Sequence, residues 1–114
     1  MSGIKIPPIG TLTDRVQLRR RDNLSESEGG QVAAFTALAT VWARIRSLSE
    51  RQAGEVDARG RNITHSVVMR FRTDLKPGDR ILYRGRVLEV AAANDLNGHR
   101  AYLSCHCVER AVTG

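Results

Sequence analysis

The side chains with chemistry to offer are three histidines (His65, His99 and His106), two cysteines (Cys105 and Cys107) and an excess of arginine. Histidine titrates near neutrality, so each is a candidate acid, base or metal ligand. Cys105-His106-Cys107 sets the thiols two apart. In an extended strand they share one face, too far apart for an easy disulfide. A metal would need two more ligands from elsewhere, and Cys-x-Cys lacks the spacing of a zinc finger. The cysteines therefore read as small apolar residues of a core strand. His65 and His106 fall within strand patterns and read as satisfied strand residues, while His99, beside Asn97-Gly98, reads as solvent-facing. Gly29-Gly30 is not followed by the Gly-Lys-Ser/Thr of a phosphate loop. The acidic residues are scattered and form no evident acid/base couple. The expectation is a chain that is not an enzyme and carries no cofactor and no metal.

Arginine is the remaining resource. The formal charge of +6 rests almost wholly on it, since Lys5 and Lys76 are the only lysines. That balance suits an anionic partner, either nucleic acid or an acidic protein surface, and arginine favours planar contacts to carboxylates at interfaces. An Arg-rich, Lys-poor composition can also reflect genomic base composition alone. In Arg19-Arg20-Arg21 a strand would send Arg20 to the opposite face from its neighbours, which undercuts a continuous basic stripe.

Strands must position these residues. Alternation runs from Asp14 to Asp22, with Val16 and Leu18 on one face and Arg15, Gln17, Arg19 and Arg21 on the other. Asn23 to Gln31 reads as a polar loop. Alternation returns from Ala39 to Leu48, setting Val41, Ala43 and Ile45 against Trp42, Arg44 and Arg46, which suggests a strand carrying the aromatic on its outer or inter-subunit side, with the reverse register open. Ser49 to Asn62 is charged and small, with little to bury. It reads as a long functional loop, with a short helix near Ser49 as an option weakened by Gly54 and Gly60. The clearest alternation runs from Ile63 to Arg72 and predicts a central strand. Lys76-Pro77-Gly78-Asp79 is turn chemistry, Arg84-Gly85 joins two short runs as a hairpin, and Asn97-Gly98 leads into a last strand from Arg100 to Arg110. Six short strands, tight turns and one long loop predict a mainly all-β fold, a small antiparallel barrel or sandwich.

At 114 residues the chain fits one domain and can hide only about two-thirds of its unfolded surface, so a thin core is expected and a partner surface would complete it. Met1 to Gly10 contains two consecutive prolines and no apolar run able to span a bilayer or serve as a signal sequence, so a soluble protein with no membrane partner is expected. The division expected is an N-terminal arm over 1–13, a barrel over 14–110 carrying the projecting loop 49–62, and a tail over 111–114.

The order of Gly10-Thr11-Leu12, Asp14-Arg15-Val16-Gln17-Leu18, a Gly-rich loop and Val41-Trp42-Ala43-Arg44-Ile45 continues through a polar loop with Glu55. Then follow Thr64-His65-Ser66-Val67-Val68-Met69-Arg70-Phe71-Arg72, Asp79-Arg80-Ile81-Leu82-Tyr83 and Gly85-Arg86-Val87-Leu88-Glu89-Val90. This series resembles the head-tail joining proteins of tailed bacteriophages and gene transfer agents, also called head-completion, adaptor or stopper proteins, over roughly Gly10 to Glu109. The resemblance implies a small β-barrel forming a homo-oligomeric ring, a hexamer or dodecamer, at the head-tail junction of a virion or phage-like particle assembled in a bacterial cytoplasm. Its implied neighbours are a portal or adaptor protein and a tail terminator or tail tube protein, with packaged double-stranded DNA passing through non-specifically. By position, loop 49–62 would project into the channel with Arg51, Glu55, Asp57, Arg59 and Arg61. The outward strand faces make Arg19, Arg21, Trp42, Arg44, Arg46, Arg70 and Arg72 candidate interface residues. The alternative is a small barrel binding single-stranded nucleic acid. It would need exposed aromatics at strand spacing, and Trp42 is the only strong candidate.

Overall fold

A computed structural model describes residues 12–25, 31–48 and 60–111. The expected arm up to residue 11, Gly29-Gly30, the optional helix near Ser49, the tail from 112 and the loop residues Arg51, Glu55, Asp57 and Arg59 lie outside the described residues. Six strands form the fold: β1 (Asp14–Ser25), β2 (Gln31–Ser47), β3 (His65–Arg70), β4 (Arg80–Tyr83), β5 (Arg86–Asp95) and β6 (Tyr102–Arg110). They close an antiparallel barrel in the order β1-β2-β3-β6-β5-β4, sealed where Gln17 to Arg19 of β1 pair with Leu82 to Arg80 of β4.

The alternation read along the chain becomes inside and outside. Ile63, His65, Val67 and Met69 are buried and the residues between them are more exposed. Val16, Leu18, Ala43, Val67, Met69, Ile81, Leu88, Val90, Leu103, Cys105 and Cys107 fill the barrel. Both cysteines are free and buried, side by side on the inner face of β6. Burial pushes the Cys105 thiol up to about 12 and Cys107 well above its ordinary value, with Cys105 adding to the latter shift. They are packing groups without nucleophilic character at neutral pH.

The turns follow their residues. Asp79 N donates to the Lys76 carbonyl at 3.0 Å around Pro77-Gly78, with Gly78 at φ +97°, the type II arrangement in which proline presets the first central position and glycine takes the positive φ. Arg84 and Gly85 both have positive φ, 49° and 78°, as a two-residue type I′ hairpin requires. Asn97-Gly98 sits in a short 3-10 turn, Leu96–Gly98, with Asn97 at φ 58°.

Two expectations are corrected. The strands are not all short: β1 has 12 residues and β2 has 17. The polar loop expected over Asn23 to Gln31 shrinks, because Asn23 to Ser25 pair with Ala33 to Gln31. Beyond Arg19 and Ala43 the two strands leave their other partners and continue as a two-stranded ribbon, and the molecule measures 54 × 29 × 26 Å. Alternation detects half-buried strands, and the ribbon, which meets the barrel only locally through Phe35 and Leu38, has no continuous buried face to enforce it.

Candidate functional site

Among the described residues Trp42 is the one large hydrophobic side chain left open, at 54% exposure. Ala43, its neighbour, is fully buried, so strand geometry forces the indole outward. This settles the open register: Trp42, Arg44 and Arg46 face out. Register places Arg15 beside Trp42, with the guanidinium 5.7 Å from the ring centroid, and sets Arg44 and Arg46 beside Val68 and Ser66 of β3. Arg70 follows at the end of β3. Among the described residues no carboxylate pairs with Arg15, Arg44, Arg46 or Arg70. Four unneutralised guanidinium groups and one indole thus share the outer face of β1, β2 and β3.

A half-open groove of about 720 Å³ borders this face, lined by Leu12, Thr13, Val41, Trp42, Arg70, Phe71 and Arg72. Its floor is mainly apolar and its rim is cationic. Arg72 is held to Asp74 by two bonds of 2.6 and 2.8 Å; that hydrogen bonding keeps the Asp74 carboxyl below its usual range. Arg100 stacks over Phe71 at 5.2 Å and extends the basic rim.

The remaining sequence-selected arginines lie elsewhere. Arg19 and Arg21 are on the outward side of β1 but about 13 and 20 Å further along it than Arg15. Arg19 Nε donates to Gln17 Oε1 at 2.9 Å. The Arg21 amide donates to Asp79 Oδ1 at 3.0 Å, and its side chain lies near Gly78. Arg61, the described charged member of the expected loop set, is bonded to Glu89 at 2.9 Å. That contact ties the returning end of the loop to the barrel wall.

Two buried carboxylates escaped the sequence reading. Glu89 accepts from Arg61 and, at 2.8 Å, from Arg110. Asp79 accepts the amides of Arg21 and Lys76, locking the ribbon base to the β3–β4 turn. Nearby, the Arg80 guanidinium lies 4.0 Å from the Phe35 ring centroid, pinning the ribbon to β4. A buried acid within a run such as Val87-Leu88-Glu89-Val90 is the only signal that could have marked Glu89, because buried charges are ordinarily paired.

The histidines form no centre. His65 is buried, with Nδ1 2.9 Å from Thr64 Oγ1 and Nε2 3.5 Å from an Arg86 terminal nitrogen. Because Arg86 can only donate, the network assigns the Nδ1–H tautomer. His106 is half-buried opposite Ser66, and His99 is exposed. Among the described residues no group of three His, Cys, Asp or Glu side chains could hold a metal ion, and no helix is long and apolar enough to cross a membrane. The arrangement suits contact with an anionic or carboxylate-bearing surface.

A family model described as phage head completion protein matches residues 7–110. Among solved structures, the solution structure of a Shigella flexneri 2a protein is similar at a TM-score of 0.70 and 25% identity, covering 92% of this chain and 98% of that one. A chain from the virion of a native gene transfer agent particle has the same fold at a TM-score of 0.61 and 21% identity, covering 82% of this chain and 89% of that chain. No curated protein matches.

Proposed function

From the premise that this chain belongs to the phage head completion protein family, and so is a structural protein of phage-type particles, we propose that it forms a ring between the portal or adaptor end of a capsid and the tail. The ring closes the head and leaves DNA a passage. The observation that carries this reading is the outer face of unneutralised Arg15, Arg44, Arg46 and Arg70 around exposed Trp42. Aromatic and arginine side chains are the residues most enriched at interface hot spots, and repeated cationic patches suit the acidic surfaces of neighbouring subunits or proteins. The occurrence of this fold in a gene transfer agent virion supports the same setting.

In this reading the chain is organised as an arm over 1–13, a barrel over 14–110 and a tail over 111–114, and its arm, outer strand faces and loop make the protein contacts. Loop 49–62 projects toward the channel, with the Arg61–Glu89 pair as its foot on the barrel. Particle assembly takes place in the bacterial cytoplasm, with portal or adaptor protein on one side and tail terminator or tube protein on the other.

The test is native mass of the full chain alone and with capsids that lack it, alongside binding to a short single strand at physiological salt. A closed ring, or recruitment of several copies per capsid vertex, is the expected outcome. A monomer that ignores capsids and binds single strands tightly would replace this reading with a nucleic-acid-binding barrel.

A further inference from the structure

Strand β2 loses its pairing with β3 beyond Ala43 yet runs as strand back to Gln31. Over that stretch its partner is β1 alone; among the described residues nothing pairs with its other edge. The direction of the free backbone groups follows from one bond. The Arg21 amide donates to Asp79, away from β2. Residues directly opposite in an antiparallel pair either exchange both bonds or neither. Phe35, opposite Arg21, therefore turns its N–H and C=O to the free edge, and by alternation so does Ala37. Asn23 does the same on the opposite edge of the ribbon.

Exposed edges are ordinarily guarded by charge or proline. From Val32 to Val41 the sequence is Val-Ala-Ala-Phe-Thr-Ala-Leu-Ala-Thr-Val, with neither, in a chain where charged residues make up 26%. The paired segment of β1 holds Arg19, Arg20, Arg21 and Asp22 in succession. One edge of the ribbon is thus unguarded while the strand beside it is densely charged.

We infer that the free edge of β2 from Phe35 to Thr40 is a strand-addition site, and that its occupant is the free end of β1, Asn23 to Ser25, of a second copy of this chain; the rest of that β1 edge is taken by β4 and Asp79. The ribbon carries both halves of such a contact. A neighbour's β1, laid antiparallel to β2, continues the ladder already present. The contact is head-to-tail, the kind that closes into a ring under rotation, and closure pairs the exposed end of every β1 in the ring. This inference rests on the ring proposed above and specifies the contact that builds it.

The experiment uses the full chain under the conditions in which the wild type assembles, comparing it with Ala37→Pro and Ala37→Lys. Proline removes an outward N–H and spares the β1–β2 bonds; lysine charges the edge without changing the backbone. Both variants are expected to keep the wild-type melting transition to within a few degrees and to lose association by at least about tenfold. In the wild type, the Phe35 and Ala37 amides are expected to exchange on the order of 100-fold more slowly in the ring than in the monomer. A ring that persists in both variants overturns strand addition and leaves the ring reading standing. A wild type that stays monomeric even with capsids overturns both. Protection of these amides in the monomer overturns the inference in favour of the chain's own N-terminal segment, and protection only on adding an unlike protein overturns it in favour of a foreign strand.

Discussion

His65 lies inside the barrel wall with both ring nitrogens engaged, one by Thr64 and the other by Arg86. Thr64 Oγ1 also accepts the Glu109 amide at 2.8 Å and donates to the Cys107 carbonyl at 3.3 Å, so the ring belongs to a network joining β3, β5 and β6. Burial first, and then the Arg86 charge, pull the His65 pKa below its ordinary 6.5 against the opposing pull of Glu109. The unfolded chain therefore takes up a proton that the folded chain refuses. The resulting stability is fully present above pH 6.5 and is lost as pH falls below that value. Asp74 and Glu109, held low by Arg72 and Arg86, add losses only further down, below their ordinary 3.8 and 4.5. Melting temperature should accordingly drop between about pH 7.5 and pH 5.5, and His65→Gln should flatten that slope. Equal slopes in the two proteins would remove His65 as the cause.

Among the elements, the Lys76-Pro77-Gly78-Asp79 turn links the ribbon to the barrel. Asp79 holds the Arg21 and Lys76 amides, Gly78 N donates to the Val90 carbonyl at 2.9 Å, and Val90 N donates to the Asp79 carbonyl at 2.8 Å. All of this depends on Gly78 at φ +97°. A Cβ there would meet only the Arg21 side chain, Cδ at 3.7 Å and Nη1 at 3.9 Å, both ordinary contacts, so the cost of Gly78→Ala is a backbone cost. Urea unfolding should register a loss of about 1–2 kcal/mol. A loss below about 0.3 kcal/mol would mean that the turn relaxes without strain.

For the molecule as a whole, the barrel is filled by aliphatic and sulfur side chains while its one tryptophan faces solvent. In the proposed ring, folding and association thus fall to different residues. Trp42→Ala should change unfolding free energy by less than about 1 kcal/mol, because a side chain at 54% exposure leaves little cavity. Association with other copies or with capsids should weaken by at least about tenfold, as expected of an aromatic anchor. Native mass and a urea titration on the same sample separate the two effects. A large loss of stability with unchanged association would place Trp42 in the fold and outside the interface.

Period-two alternation determined which faces of β1 and β3 are buried, because one residue of slip would put Val16, Val67 and Met69 in water. Turn residues determined Pro77-Gly78 and Arg84-Gly85, because positive φ restricts the choice of side chain locally. Cysteine spacing likewise placed both thiols inside. The outward direction of Trp42 was left open, since an alternating segment reads equally well in either sense until a sheet closes on one side. Only the tertiary structure brought Glu89 to Arg61 and Arg110, and Asp79 to Arg21, because such pairs join residues distant in sequence and leave no local pattern. The length of the β1–β2 ribbon also came from the tertiary structure alone: backbone pairing sustains its strands where no core imposes a period on the side chains.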